Sequence, residues 1–167
     1  VLPDDPQWKP SLMPVIFSTA VPLDDGAGGM AFGLDFRINH VTVKGIKFLG
    51  NPTPGVKYYP VWRENDSLED LEITQCMFVG DREALPIHAP IAAKGHKLVV
   101  DHCIFYHCKN TVVFWRAQGG TSFGNEMKYC IVDGSYSSAV WVVETGEDFK
   151  FHHNIITNCE YAWVRYD

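Results

Sequence analysis

Apolar and polar residues alternate in short bursts along most of the chain, and the bursts recur. HVTVKGIKF, LEITQCMF, HKLVVDHCIF, NEMKYCIV and FKFHHNII each alternate with a period of two, break at a polar turn and resume. A period of two belongs to a half-buried strand, because successive side chains of extended backbone point to opposite faces. With Cys103 as the reference, Ile46, Cys76, Cys130 and Asn154 occupy the same place, opening the phrases IKFLG, CMFVG, CIFYHC, CIVDGS and NIITNC. The steps between them are 30, 27, 27 and 24 residues. Self-similarity at such a period marks a stacked-repeat architecture. Before the turn, the expected inward positions are Val41 and Val43, Leu71 and Ile73, Leu98 and Val100, Met127, and Phe149 and Phe151. After it, Phe48, Phe78, Phe105, Val132 and Ile156 form a second column. PVWRE, PIHAP, VVFWR, VWVVE and AWVRY supply a third strand per repeat, and no stretch carries the period of an amphipathic helix of ordinary length.

Three short strands in a repeat of this length imply a chain coiling on itself. Each strand then pairs in parallel with its counterpart one turn away, at ~4.8 Å, and like side chains stack in ladders. The repeated V-x-V-x-x-(C/N)-x-(F/I) phrase over residues 33–167 resembles the right-handed parallel β-helix superfamily, of which pectate lyase is the type. The resemblance implies an all-β fold, a right-handed single-stranded parallel β-helix of about five turns. Residues 1–32 differ in texture. They are expected to be an irregular lead-in, or the end of a missing upstream region, with a short strand in MPVIFST and a loop in VPLDDGAGGM. Members of the superfamily have more turns and covered ends, whereas this sequence stops inside AWVRYD. Uncapped strand edges invite pairing. The expectation is therefore a fragment of a longer β-helix, or end-on association with another chain.

Composition changes the picture little. The 167 residues are 46% hydrophobic, enough for the core of one domain. A formal charge of −6 gives no general reason to expect nucleic acid or an anionic membrane as partner, and no apolar run approaches the ~18 residues of a membrane span. Cys76, Cys103 and Cys130 recur at one repeat position, which argues for a buried thiol stack. Neither they nor Cys108 and Cys159 have metal-finger spacing.

Candidate chemistry gathers in the third strands. Aligned by repeat, Arg63, His88, Arg116, Val143 and Arg165 share a position, with Val61, Pro86, Phe114, Trp141 and Trp163 two residues earlier. Arginine is seldom buried unpaired. The arginine column is therefore expected outside, together with Phe114, Trp141 and Trp163, and Trp62, Trp115, Val142 and Val164 between them are expected inside. The result would be an external strip of aromatic faces beside guanidinium forks. Aromatic faces suit sugar rings, and guanidinium groups suit carboxylates or sulfates. The competing reading has loops covering the tryptophans and the arginines pairing with Glu64, Glu144 or Glu160.

An acidic polysaccharide would satisfy both features of the strip, which places the protein outside the cell or at its surface. The residues also suit β-elimination from a uronate. Arg63 and Arg116 would neutralise the carboxylate, and His88 between them, held neutral by their charges, would take the proton. Phe114, Trp141, Trp163 and Arg165 would bind the chain. The resemblance to polysaccharide lyases favours this reading. The superfamily also uses Ca²⁺-binding carboxylates, but no such motif can be matched here, and no cofactor is expected. Glycoside hydrolysis is weaker, since Asp81, Glu83, Asp101, Asp133 and Glu144 fall in different columns and no pair converges. A non-catalytic carbohydrate-binding or adhesion β-helix is the alternative from a different class. Gly45, Gln75, His102, Tyr129 and His153 form a turn-adjacent column that reads as stacked rings and amides. A metal site at His102 and His153 is the lesser reading.

Overall fold

The computed structural model describes residues 5–21 and 29–166. Its chain winds through parallel strands into a β-solenoid of about five turns, with three sheets around one core. The first sheet stacks β1 (Val15–Ile16), β4 (Lys47–Leu49), β7 (Met77–Val79), β10 (Ile104–Tyr106), β13 (Ile131–Asp133) and β16 (Ile155–Thr157). The second stacks β2 (Met30–Asp35), β5 (Lys57–Arg63), β8 (Ile91–Ala93), β11 (Val112–Phe114), β14 (Ser138–Val143) and β17 (Tyr161–Tyr166). The third stacks β3 (Val41–Lys44), β6 (Leu71–Thr74), β9 (Leu98–Asp101), β12 (Glu126–Lys128) and β15 (Lys150–His152). The sheets begin before the expected boundary at Gly33, since β1 pairs with β4 and β2 pairs with β5. The loop expected over VPLDDGAGGM falls mostly outside the described residues.

Short strands need tight corners, and the sequence supplies them with single residues in the left-handed conformation. Gly45, Gln75, His102, Tyr129 and His153 all have positive φ, so the polar column after the third-sheet strands is the corner itself. Left-handed backbone strains a residue with a Cβ. Here ring stacking accompanies it: His102 lies 4.8 Å from Tyr129, and Tyr129 lies 4.9 Å from His153, centroid to centroid. At the next corner Gly80 is required for space, because a Cβ there would stand 2.6 Å from the His107 carbonyl oxygen.

Inside, the expected ladders form. Phe48, Phe78 and Phe105 stack almost parallel, with centroids 4.9 and 5.0 Å apart, and all three are fully buried. Val41, Leu71 and Leu98 pair in register, as do Val43, Ile73 and Val100. Cys76, Cys103 and Cys130 are buried and stacked, with the Cys103 N–H donating to Cys130 Sγ at 3.4 Å. Asn154 closes this ladder: its Oδ1 accepts from the Cys130 N–H and its Nδ2 donates to the Met127 carbonyl, both at 2.9 Å. A half-buried amide with both ends satisfied costs little. Burial holds the Cys103 and Cys108 thiols well above the usual thiol range, so both stay protonated and inert.

Candidate functional site

The second sheet decides where chemistry can gather, and its register differs from the sequence alignment of the third strands. Val61 pairs with Ile91, Ile91 with Val112, Val112 with Val140, and Val140 with Trp163. That column faces the core. The next residues, Trp62, Ala92, Val113, Trp141 and Val164, are paired to one another and face outward. The third column, Arg63, Ala93, Phe114 and Val142, turns inward again, and Arg165 continues it in register on the last strand, where it is exposed.

Several expectations are corrected by this register. Arg63 is not outside: it is 1% exposed. Its Nε donates to the Lys94 carbonyl at 2.6 Å and an Nη donates to the His96 carbonyl at 3.0 Å, serving the corner between β8 and β9. Burial brings its pKa down to about 10, against the pull of Asp70, so it is charged at neutral pH. Phe114 is fully buried, its ring edge-on to Phe149 at 4.9 Å. Trp163 sits in the inward column of the last strand, 5.2 Å from Phe151 and 5.6 Å from Phe149, although it remains 40% exposed. Arg165 is exposed and pairs with Val142 at the far end of the same strand. Trp62 belongs to an outer cluster with Ala89, Ala92 and Val113, rather than to the core where it was expected. Trp115 and Val164 likewise leave the inside, and Val142 stays there.

His88, Arg63 and Arg116 are also not stacked. His88 precedes β8, and its N–H donates to the Tyr58 carbonyl at 2.9 Å. Arg116 follows β11, and its carbonyl accepts from the Gly95 N–H at 2.9 Å. They occupy opposite ends of the second sheet, so His88 does not lie between the two arginines.

What the register brings together is an apolar groove on the outer face of the second sheet. Tyr59, His88, Ala89, Ala92, Asn110, Val113, Trp115, Trp141 and Val143 line it, enclosing about 460 Å³. Of the expected binding residues, Trp141 and His88 line it, and Arg63 and Phe114 belong to the core. Alanine and valine make the floor because β8 and β11 carry Ala92 and Val113 where β5 and β14, on either side of them, carry Trp62 and Trp141. Two successive positions without a ring, Ala92 and Val113, leave a depression bounded by Trp62 on one side and Trp141 on the other. Tyr59 also packs at 4.9 Å from Trp62, which in turn stacks on Phe32 at 5.2 Å, so the groove is backed by an aromatic row. Lys94 lies over the Trp115 ring at 5.8 Å and pairs with Glu64.

Two polar side chains interrupt the apolar lining. His88 packs 5.2 Å from Tyr59, and its pKa is lowered to about 4, first by burial and then by the charges of Lys109 and Lys57. The ring is therefore neutral at pH 7, as expected from the sequence, but the cause is desolvation and two lysines rather than two arginines. Asn110 is buried, and its Oδ1 accepts from the Ser138 hydroxyl at 3.4 Å.

A second, polar pocket of about 480 Å³ adjoins the groove, since Trp115 and Arg116, and Val143 and Glu144, are chain neighbours divided between the two. Asp66, Arg116, Ala117, Gly119, Gly120, Thr121 and Glu144 line it. Arg116 stands 3.7 Å from Glu144, and the hairpin at Ala117–Gly120 is held to the preceding turn by the Gln118 N–H on the Asp66 carbonyl at 2.8 Å.

Tyr59, Asn110 and the Ala92 floor were not singled out by sequence reasoning. The available signal was an alanine pair, Ala92 and Ala93, in a strand position elsewhere occupied by large residues. Among the described residues no cluster of three or more His, Cys, Asp or Glu side chains could hold a metal ion, and no helix is long and apolar enough to cross a membrane. Compared with protein-family models, with curated proteins and with solved structures, the chain has no significant match.

Proposed function

We propose that this β-solenoid recognises carbohydrate through the outer groove of its second sheet. The observation that carries the reading is the alanine–valine floor between Tyr59, Trp115 and Trp141. Sugar rings have apolar C–H faces that rest on aromatic and small aliphatic surfaces, while their edges need a few fixed hydrogen-bonding groups. His88 and Asn110 provide such groups at one end of an otherwise apolar lining. A volume of this size is that of a small-ligand site. The resemblance of the repeat to the pectate-lyase-like superfamily agrees with a glycan ligand and with action outside the cell.

A second reading, β-elimination on a uronate-containing polysaccharide, is favoured by one observation. His88 is neutral in the groove and feels the charges of Lys109 and Lys57, which would pair with a uronate carboxylate. Its low pKa also makes it a weak base, since general bases work best with a pKa near the operating pH. Binding without cleavage is therefore the leading reading.

Titration with neutral and uronate oligosaccharides, followed by tryptophan fluorescence, tests the proposal. A saturable change is expected, weakened about tenfold or more in Trp141→Ala. An unchanged affinity in that variant, or no response to any oligosaccharide, would count against it. Absorbance of unsaturated product ends from a polyuronate decides the second reading: product that His88→Ala abolishes supports elimination.

A further inference from the structure

The polar pocket beyond the groove has a lining unlike that expected for an acidic sugar. Asp66 and Glu144 face a single guanidinium, Arg116, so the formal charge of its titratable lining is negative. Arg116 is already turned towards Glu144 at 3.7 Å. A carboxylate or sulfate arriving there would have to displace Glu144 and still face Asp66, and like charges in one site repel. A hydroxyl-rich neutral ligand meets no such opposition. Sugar hydroxyls both donate and accept. Arg116 supplies donors only and the two carboxylates acceptors only, with the Thr121 hydroxyl able to do either. The backbone at the Ala117–Gly120 turn allows close approach, because Gly119 and Gly120 carry no side chain and a Cβ on either would meet nothing within 4 Å.

The position of this pocket sets a direction. Trp115 and Val143 end the apolar groove, and the residues that follow them, Arg116 and Glu144, begin the polar pocket. Both pockets therefore lie along the strand direction of the second sheet, with His88 at one end and Arg116 at the other. We infer that the polar pocket is a second sugar subsite, selective for a neutral unit, and that a bound glycan runs along the strands from the His88 end of the sheet to the Arg116 end. This rests on the carbohydrate reading of the groove and adds to it a second unit, its charge class and the orientation of the chain.

Calorimetric titration with neutral β-linked hexose oligomers of one to six units, and with oligogalacturonides of the same lengths, tests the inference. Affinity for the neutral series should rise about tenfold or more from one unit to two or three. Arg116→Gln and Glu144→Gln should each remove most of that gain and leave single-unit binding unchanged. The oligogalacturonide series should gain less with length, and Glu144→Gln should narrow the difference between the series. Affinity independent of length would overturn the subsite while leaving the groove. So would a length gain that survives both substitutions, or one as large for the acidic series. Failure of every oligomer to bind would overturn the carbohydrate reading and the subsite with it.

Discussion

The two faces of the second sheet are built from the same strands and obey different rules. Inward, Val61, Ile91, Val112 and Val140 repeat a similar volume on every rung, and each is fully buried. Outward, the paired residues run Trp62, Ala92, Val113, Trp141, a sequence of volumes that no close-packed ladder would choose. The inner face must fill space at crystal-like density, so each rung constrains the next. The outer face has no second layer packed on it: Trp62, Ala92 and Val113 are buried by one another and by the rings around the groove, and Trp141 is partly exposed, so no facing rung fixes their volumes. Uniform columns therefore report the fold, and an interrupted column reports a place where something else can sit. The difference predicts that inner substitutions act on stability and outer ones on binding.

The largest effect should come from the most regular ladder. Phe105→Ala removes a ring stacked on Phe78 within the core and leaves a cavity that neighbouring coils cannot collapse into. A loss of about 3–5 kcal/mol is expected in urea unfolding. A loss below about 1 kcal/mol would mean that the ladders tolerate gaps, and the contrast between the faces would fail.

Arg63 sharpens the comparison because it is an inner residue of outer type. Arg63→Ala removes the donors to the Lys94 and His96 carbonyls, and a loss of about 3 kcal/mol is expected. A uronate-binding role would instead lower affinity at unchanged stability, so measuring both in this variant separates the two.

This residue also shows how far the sequence could be read. The Cys and Phe columns were legible because the two-residue corner between the third and first sheets keeps their spacing constant in every coil. The register of the second sheet was not, because the loop before it varies: seven positions separate Phe105 from Val112, but thirteen separate Phe78 from Ile91. Aligning PIHAP with VVFWR therefore placed His88 in a strand that begins only at Ile91. Arg63 and Phe114 lie inside, against the expected parity, for a related reason. Arginine does not always avoid the interior: the Lys94 and His96 carbonyls at a corner hold the buried Arg63 guanidinium. Trp141 was placed correctly outside. The groove was not foreseen, because its floor is made by residues too small to attract notice.

His88 should make stability pH-dependent from the outer face. Its folded pKa of about 4 lies below the ordinary histidine value near 6.5, so between these values the unfolded chain holds a proton that the native chain lacks. The stability it contributes is complete above about pH 6.5 and falls as pH drops towards 4. The limit is about 1.4 kcal/mol per pH unit, and solvent contact at the half-buried ring reduces it. Wild type should lose about 1–2 kcal/mol between pH 7 and pH 5, and His88→Leu should lose much less. Carboxylates held low by their partners, such as Glu126 beside His152 and Lys128, act at lower pH and should not obscure this window. An equal loss in both proteins would remove His88 as the cause.

Trp141→Ala should give the smallest stability change and, among these substitutions, the most specific one. The indole is partly exposed and packs against the outer cluster rather than the core, so truncation removes burial without opening an interior cavity. About 1 kcal/mol or less is expected, below the cost at Phe105 although the side chain removed is larger. Oligosaccharide affinity should fall about tenfold in the same variant, equivalent to about 1.4 kcal/mol of binding free energy. Side-chain volume predicts the opposite order of stability losses, with tryptophan ahead of phenylalanine. If that order were observed, Trp141 would be part of the packed structure, and the gap at Ala92 would be a packing accommodation with no ligand to receive. A stable Trp141→Ala protein that has lost sugar affinity would instead show that the irregular column is maintained for what it binds.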